Sequence, residues 1–273
     1  MKRKMKIGNK IFDIGSRTYV MGILNVTPDS FSDGGKFNSL DKAVYHAGEM
    51  IKNGVDIIDV GGESTRPNCT PIDKNEEIDR VMPIIEILKR EFDIPISIDT
   101  YKSKVAECSI KAGADMINDV WGFKRDSNMV KIAAKYETPC CIMHNRNNNE
   151  YKNLIQDVLY DLRESIDIAI NNGVKKENII IDPGIGFAKN YKQNLEVMNK
   201  LESLTELGYP VLLGTSRKSM IGNALNLPVS ERVEGTLATT AIGILKGCDF
   251  IRVHDVLENK RACLISDAIV RGR

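Results

Sequence analysis

Polar and charged residues recur at the ends of short apolar runs along this sequence of 273 residues. Three of them, Asp99, Asn118 and Asp182, offer carboxylate and amide groups. Such groups suit a neutral heterocycle rich in hydrogen-bond donors, because a carboxylate can accept two parallel bonds from an amidine-like N–H pair. A second set suits a polyanion and consists of Asn25, Arg66, Arg252 and His254. An amide oxygen can also ligate a Mg²⁺ ion that bridges phosphate oxygens. Together the two sets predict a phosphorylated heterocycle as ligand.

Each of these residues also has a structural alternative. Asp99 and Asp182 could cap helices, Arg66 could be a solvated loop charge, and His254 could be a core histidine. Lys218 could likewise be a solvated loop charge. A binding site is favoured because so many polar residues follow the same kind of apolar run.

The apolar runs predict eight strands that alternate with amphipathic helices. The predicted strands are 19–25, 55–60, 95–99, 114–118, 139–144, 179–182, 210–214 and 249–254. The predicted helices are 40–52, 79–90, 102–112, 129–136, 154–171, 194–207, 230–246 and 256–270, with Ser39 as a cap of the first and Thr100 or Ser103 as a cap of the third. Near-continuous apolar strands in strict alternation with helices are typical of a parallel sheet covered by helices. Eight such units in this length predict a closed α/β barrel of the (β/α)8 TIM type.

The first 18 residues precede the barrel. They contain a Gly8-Asn9 turn signal, which predicts a short β-hairpin that closes the bottom of the barrel. No linker or low-complexity stretch divides the sequence, so we expect one domain over 1–273, with the hairpin in 1–18 and the barrel in 19–273.

A TIM barrel gathers the carboxyl ends of its strands at one rim, where active sites lie. The first and eighth strands are neighbours in a closed barrel, so we expect Asn25, Arg252 and His254 to lie together. We expect Asp99, Asn118 and Asp182 to occupy a different part of the rim.

Composition restricts the function and the location. The net charge of +1 argues against a general nucleic-acid or membrane-surface binder. The six cysteines form no C-x-x-C pair, and they are expected to be reduced thiols of a cytoplasmic protein. The basic start is not followed by an apolar segment, so we expect no secretory signal.

Seven motifs in order resemble those of the dihydropteroate synthases, a family of pterin-binding TIM barrels. The longest is MGILNVTPDSFSDGG at 21–35, and GGESTRP follows at 61–67. The shorter ones are SIDT at 97–100, IND at 117–119, DPGIGF at 182–187, GTSRKS at 214–219 and RVHD at 252–255. The sequence departs from the usual family pattern at Asn68-Cys69 and after Met143-His144.

The resemblance implies condensation of 6-hydroxymethyl-7,8-dihydropterin diphosphate with p-aminobenzoate to 7,8-dihydropteroate and diphosphate, a transferase step of folate synthesis. It implies pterin contacts from Asp99, Asn118, Asp182, Lys218, Met143 and Phe187. It implies diphosphate contacts from Asn25, Arg66, Arg252 and His254, with Asn25 acting through Mg²⁺. It implies p-aminobenzoate contacts from Thr65, Pro67, Phe187 and Ser219, and catalytic roles for Arg66, Lys218 and Asp33.

The resemblance also implies a homodimer formed through the last helices, with Ile242, Ile244 and Leu245 as candidate contacts. Sulfonamides, which resemble p-aminobenzoate, are the inhibitors it implies. Two alternatives remain open: a methyltetrahydrofolate-binding methyltransferase domain, and a non-catalytic pterin-binding barrel. The methyltransferase would keep the aspartate and asparagine set but would not need a diphosphate clamp.

Overall fold

The computed structural model of the chain describes residues 3–26, 36–64 and 70–272, with the backbone alone for 36–39. Its first element is a two-stranded antiparallel hairpin of β1 (Arg3–Ile7) and β2 (Lys10–Ile14). The turn falls at Gly8, whose φ of 60° suits glycine, as the turn signal predicts. Apolar side chains of both strands join the buried cluster inside the barrel, so the hairpin closes the bottom of the barrel as expected.

Eight parallel strands form the barrel. They are β3 (Tyr19–Asn25), β4 (Ile57–Gly61), β5 (Ile96–Asp99), β6 (Met116–Asp119), β7 (Cys140–Met143), β8 (Ile179–Asp182), β9 (Leu212–Leu213) and β10 (Phe250–Val253). Their order is β8-β7-β6-β5-β4-β3-β10-β9. A parallel bridge between Ile181 and Val211 joins β8 to the start of β9 and completes the circle. The predicted TIM barrel is therefore confirmed, and the strands of Asn25 and Arg252 are neighbours.

Helices surround the strands. They are α1 (Lys36–Lys52), α2 (Lys74–Glu91), α3 (Ser103–Lys111), α4 (Met129–Lys135), α5 (Leu154–Asn171), α6 (Tyr191–Asn199), α7 (Glu202–Thr205), α8 (Ser219–Leu225), α9 (Val233–Leu245) and α10 (Val256–Arg271). No helix among these described residues is both long enough and apolar enough to cross a bilayer.

The inside of the barrel is built in two layers because side chains alternate along each strand. The lower layer is apolar and includes Met21, Ile57, Met116, Cys141, Ile180, Leu212 and Phe250, all buried in one cluster with the hairpin. Residues of the opposite parity, such as Ile58 and Ile117, pack in the larger cluster between the strands and the helices. Two positions further along each strand, the inward side chains form the upper layer at the carboxyl end.

Several predicted helix details are wrong. The first helix begins at Lys36, so Ser39 lies inside it and does not cap it. Residues 194–207 are two helices, and the first begins earlier, behind a capping box of Asn190 and Gln193. The N-cap of α3 is Lys102, whose own side chain makes no capping bond, and Asp126 accepts from the Ser103 amide instead. Helix α8 was not predicted, because its seven residues are too few for a recognisable helical period.

Candidate active site

The upper layer of the barrel interior is polar, and it holds most of the predicted site residues. Asp59, Asn118 and Asp182 each follow an apolar lower-layer residue by two positions, so they face the same interior. Asp99 pairs with Asn118 in the strand register and shares its direction. All four are buried, at 0–7% exposure. The strand pattern therefore brings three carboxylates and one amide to the mouth of the barrel.

Arg252 lies among these carboxylates. Its Nε donates to Asp59 Oδ2 at 2.6 Å, and one terminal nitrogen donates to Asp99 Oδ2 at 2.6 Å. Asn118 also donates to Asp59 Oδ2, at 3.0 Å. We expected Arg252 to lie in a different part of the rim from Asp99, Asn118 and Asp182. This expectation is wrong, because Arg252 contacts Asp99 directly. Its side chain is long enough to reach from β10 across β3 to the carboxylates of β4 and β5.

Two buried oxygens in this layer find no hydrogen-bond donor within the described part of the chain. They are Oδ1 of Asp59 and Oδ1 of Asp99. A buried acceptor without a partner costs about 1–3 kcal/mol, so such atoms usually indicate a missing ligand or water. Burial raises the pKa of Asp99 to about 7, although Arg252 acts in the opposite direction. Burial also raises the pKa of Asp182. Both carboxyl groups would gain from N–H donors on a ligand.

Lys218 approaches the same mouth from the loop after β9. Its ammonium group donates to the carbonyl of Ile185 and lies 4.9 Å from the centre of the Phe187 ring. A methyl group built on Gly214 would lie 3.8 Å from Asp182 Oδ2 and 3.9 Å from Lys218 Nζ, which shows how closely these groups converge. Burial lowers the pKa of Lys218 to about 8, against the opposing effect of Asp182. The predicted residues Asp182, Phe187 and Lys218 therefore form one wall.

Asn25 ends β3 at the rim, opposite Gly61 in the register. A methyl group on Gly61 would lie 3.6 Å from Asn25 Oδ1 and 3.7 Å from Asp99 Cβ, so the amide oxygen lies near the carboxylate layer. Among the described residues, no cluster of three or more histidine, cysteine or acidic side chains could hold a metal ion. One amide oxygen fits Mg²⁺, which usually takes one or two protein ligands and completes its shell with water and phosphate oxygens.

The remaining predicted residues lie around this mouth, or outside the described ranges. His254 follows β10, and its Nδ1 lies 3.0 Å from Ser216 Oγ. Met143 is paired with Asp182 in the strand register and is 4% exposed, and Ser219 is the first residue of α8. The candidates outside the described residues are Asp33, Thr65, Arg66 and Pro67.

Sequence reasoning missed two site features. The sequence patterns assign Asp59 no binding role, although the two-residue step from Ile57 in β4 gives it the same direction as the other carboxylates. Lys189 was also missed, because its partners are backbone carbonyls and the ring of His144, which no sequence pattern indicates. Burial lowers the pKa of Lys189 to about 7.

The sequence and the fold are similar to those of known proteins. The family profile described as pterin binding enzyme matches residues 21–254. A dihydropteroate synthase of Clostridium beijerinckii is 69% identical over 268 residues, covering 98% of this chain and 100% of that protein. The crystal structure of a dihydropteroate synthase from Clostridium difficile in the presence of pteroic acid has a TM-score of 0.94 at 55% identity, covering 95% of this chain and 99% of that one. The Xanthomonas albilineans enzyme with 4-aminobenzoic acid has a TM-score of 0.94 at 36% identity, with 98% coverage of both chains.

Proposed function

The chain belongs to the pterin-binding enzyme family, and we propose that it is a dihydropteroate synthase. It condenses 6-hydroxymethyl-7,8-dihydropterin diphosphate with p-aminobenzoate and releases 7,8-dihydropteroate and diphosphate. The observation that carries this function is the layer of buried carboxylates at the barrel mouth, where Asp59 and Asp99 each keep one oxygen without a donor. The methyltransferase and the non-catalytic barrel are not retained, because the near-full-length relative is a synthase.

The pterin ring supplies the donors that this layer lacks. Its amino group and adjacent ring N–H form a donor pair of the kind that a carboxylate accepts with two bonds. Asp182 can accept them, because its Oδ1 takes a bond only from the Gly184 amide, at 2.7 Å, among the described contacts. Asp99 and Asn118 are placed to bind the rest of the ring edge. Met143, Phe187 and Lys218 would contact its faces and carbonyl.

The reaction breaks the C–O bond between the pterin methylene and the diphosphate, which leaves with the electron pair. The aniline nitrogen of p-aminobenzoate attacks the same methylene and then releases a proton to water. This amine is neutral and nucleophilic at neutral pH, so the site needs no strong general base. The protein contributes positive charge near the leaving group, and we propose Arg66, Arg252 and His254 for this role. Thr65, Pro67 and Ser219 would hold p-aminobenzoate, with Asp33 near the reacting carbon.

We propose Mg²⁺ as the cofactor, with the Asn25 side-chain oxygen as its protein ligand. When bound, the ion supplies positive charge to the diphosphate oxygens. The chemistry of the donor supports this assignment, because an amide oxygen is a hard ligand at the edge of the carboxylate layer.

The test is release of diphosphate from the pterin diphosphate, dependent on both p-aminobenzoate and Mg²⁺. Asp182→Asn removes the charge but keeps an acceptor for the Gly184 amide, so kcat/KM should fall by roughly tenfold or more. Asp79→Asn, on an exposed position of α2, is the matched control and should retain activity. Wild-type protein without diphosphate release would contradict the proposed function.

We also propose a homodimer and a cytoplasmic location. Ile242 and Leu245 of α9 are 43% and 69% exposed, and four residues of α10 are exposed beside them: Leu264, Ile265, Ile269 and Val270. Contiguous exposed apolar surface of this kind usually marks an interface. The expectation that Ile244 contributes is wrong, because that side chain is 1% exposed and packs in the core. The five described cysteines are free thiols, which supports a reducing compartment.

A further inference from the structure

The loop between β8 and α6 has an unusual backbone. Gly184, Gly186 and Ala188 all have positive φ, at 69°, 85° and 48°. The left-handed backbone of Ala188 is unfavourable in itself, because it costs about 1–2 kcal/mol for a residue with a Cβ atom. Interactions elsewhere must therefore hold this loop. The loop matters to the site because Phe187 and the carbonyl of Ile185 both contact Lys218.

Three contacts of Lys189 hold the loop. Its Nζ donates to the carbonyls of Gly184 and Phe187, each at 3.1 Å, and lies 2.8 Å from Nδ1 of His144. In the charged form of Lys189, these three acceptors account for all three hydrogens of the ammonium group. The charged form therefore has no hydrogen left for a substrate, and its contacts are with the protein.

His144 is fixed in turn. Burial lowers the pKa of His144 to about 4, so the ring is neutral near pH 7. Its Nε2 lies 3.0 Å from Asp161 Oδ2 and its Nδ1 faces Lys189. Only the tautomer with hydrogen on Nε2 satisfies both neighbours, because Asp161 needs a donor and Lys189 needs an acceptor. Arg146 also pairs with Asp161, which anchors the chain of contacts to α5.

Two further contacts support the same loop. The hydroxyl of Tyr151 donates to the carbonyl of Ala188 at 2.7 Å, and Asn194 Oδ1 accepts from the amide of Gly186 at 2.7 Å. Each residue of positive φ is therefore held at its own or an adjacent peptide group. The backbone from Gly184 to Lys189 is thereby restrained by side-chain contacts.

We infer that Lys189 is a positioning residue that sets Phe187 and Lys218 at the barrel mouth, acting through the loop carbonyls and the His144–Asp161 pair. This inference rests on the proposed function. Asp182 accepts a hydrogen bond from the Gly184 amide of this loop, and Phe187 and Lys218 are also assigned to the pterin. Loss of Lys189 should therefore weaken the binding of both p-aminobenzoate and the pterin.

Three variants test the role. Lys189→Met keeps an unbranched stem but removes the donors, and Lys189→Arg keeps a cation with several N–H donors. Lys192→Met replaces an exposed lysine of α6 three positions away and is the matched control. The measurements are hydrogen exchange of the 184–189 amides, KM for p-aminobenzoate, and the Kd of diphosphate-free 6-hydroxymethylpterin by calorimetry.

We expect loop amides in Lys189→Met to exchange about tenfold faster or more. We expect its KM for p-aminobenzoate and its Kd for the pterin each to rise roughly tenfold or more. Lys189→Arg should recover part of both losses, and Lys192→Met should match wild type. Unchanged loop exchange, or unchanged binding of both ligands, would overturn the inference. Inactive wild-type protein would reject the proposed function, and loop exchange alone would then decide whether Lys189 holds the loop.

Discussion

At the scale of single residues, Arg252 is the cation that allows two carboxylates to be buried side by side. Asp59 is 0% exposed and Asp99 is 7% exposed, and both contact the same guanidinium. We expect Arg252→Met to lower the free energy of unfolding by about 3 kcal/mol, because removing one partner leaves buried charge without compensation. The measurement is urea unfolding at neutral pH.

A double variant separates the lost charge from lost packing. Asp59→Asn keeps an acceptor for Asn118 but removes one negative charge, so adding it to Arg252→Met should restore about 1 kcal/mol or more. Additive losses in the two single variants would show that the ion pairs are not coupled. Pterin binding should also weaken in Arg252→Met, because Asp99 loses the contact that orients it.

His144 should give the protein a defined sensitivity to acid. An unfolded histidine titrates near pH 6.5, whereas burial lowers the pKa of folded His144 to about 4. Between these values the unfolded chain binds the proton and the folded protein does not. The free energy of unfolding should therefore fall as the pH drops from about 6.5 to about 4, by roughly 3 kcal/mol from this group.

His144→Gln isolates that contribution, because an amide can donate to Asp161 and accept from Lys189 without titrating. The difference in unfolding free energy between wild type and variant should change across this pH window. Carboxyl groups with raised pKa values, such as Asp99, act in the opposite direction in both proteins and cancel in the difference. A difference that stays constant from pH 4 to 6.5 would contradict the prediction.

The site residues that sequence could predict are those fixed by strand position. Asp99, Asn118 and Asp182 end predicted strands, and the structure gathers them in one layer. Arg252 was predicted to lie near Asn25, and their strands are paired, but the direction of its long side chain was not predictable from strand order. Lys189 could not be found because its role depends on carbonyls that only the folded loop presents.

At the scale of elements, the side chain of Lys102 contacts both ends of the connection between β4 and α2. Lys102 Nζ donates to Glu63 at 2.5 Å, to Glu77 at 2.6 Å and to the carbonyl of Ile72 at 2.7 Å. Glu63 and Glu77 are buried, at 8% and 1% exposure. We expect Lys102→Met to lower the free energy of unfolding by about 3 kcal/mol, since two buried carboxylates lose their cation.

The control lies in the same helix. Lys104 of α3 makes an exposed ion pair with Glu107 at 3.4 Å, and such pairs contribute about 1 kcal/mol or less. Lys104→Met should therefore change stability much less than Lys102→Met in the same urea titration. Equal losses of unfolding free energy in the two variants would mean that burial of the glutamates does not determine the loss.

The elements predicted best are those with a buried periodic face. Helix α5 was predicted with its observed bounds, because its apolar spacing runs between Asn153, which caps it, and a loop. Residues 194–207 were merged into one helix, since Leu201 and Leu204 continue the apolar pattern across the break after Asn199. Periodicity reports the buried face of a segment, and it does not report where the backbone changes direction.

At the scale of the whole molecule, the barrel separates stability from chemistry along its axis. The rings of Phe12, Tyr19 and Phe250 pack at the bottom with centroids 4.8–6.0 Å apart, where the hairpin closes the barrel. The polar layer lies at the opposite end, with its carboxylates supported from below by apolar side chains. Side chains alternate along each strand, so the same strands fill the core at the bottom and orient the site residues at the opposite end.

Helices α9 and α10 carry exposed apolar residues on the outer surface of the molecule. Asn259 of α10 accepts a hydrogen bond from Thr240 of α9 at 2.7 Å, so the two helices lie against each other and their exposed apolar residues form one surface.

If a second copy covers this surface, Ile265→Glu with Ile269→Glu should place like charges in the interface, because both side chains are more than 60% exposed in one chain. Light scattering should then give the mass of one 30.4 kDa chain for this variant and twice that mass for wild type. Tyr160→Glu, at an exposed position on α5, is the control and should keep the wild-type mass. A wild-type protein with the mass of a single chain would contradict the homodimer.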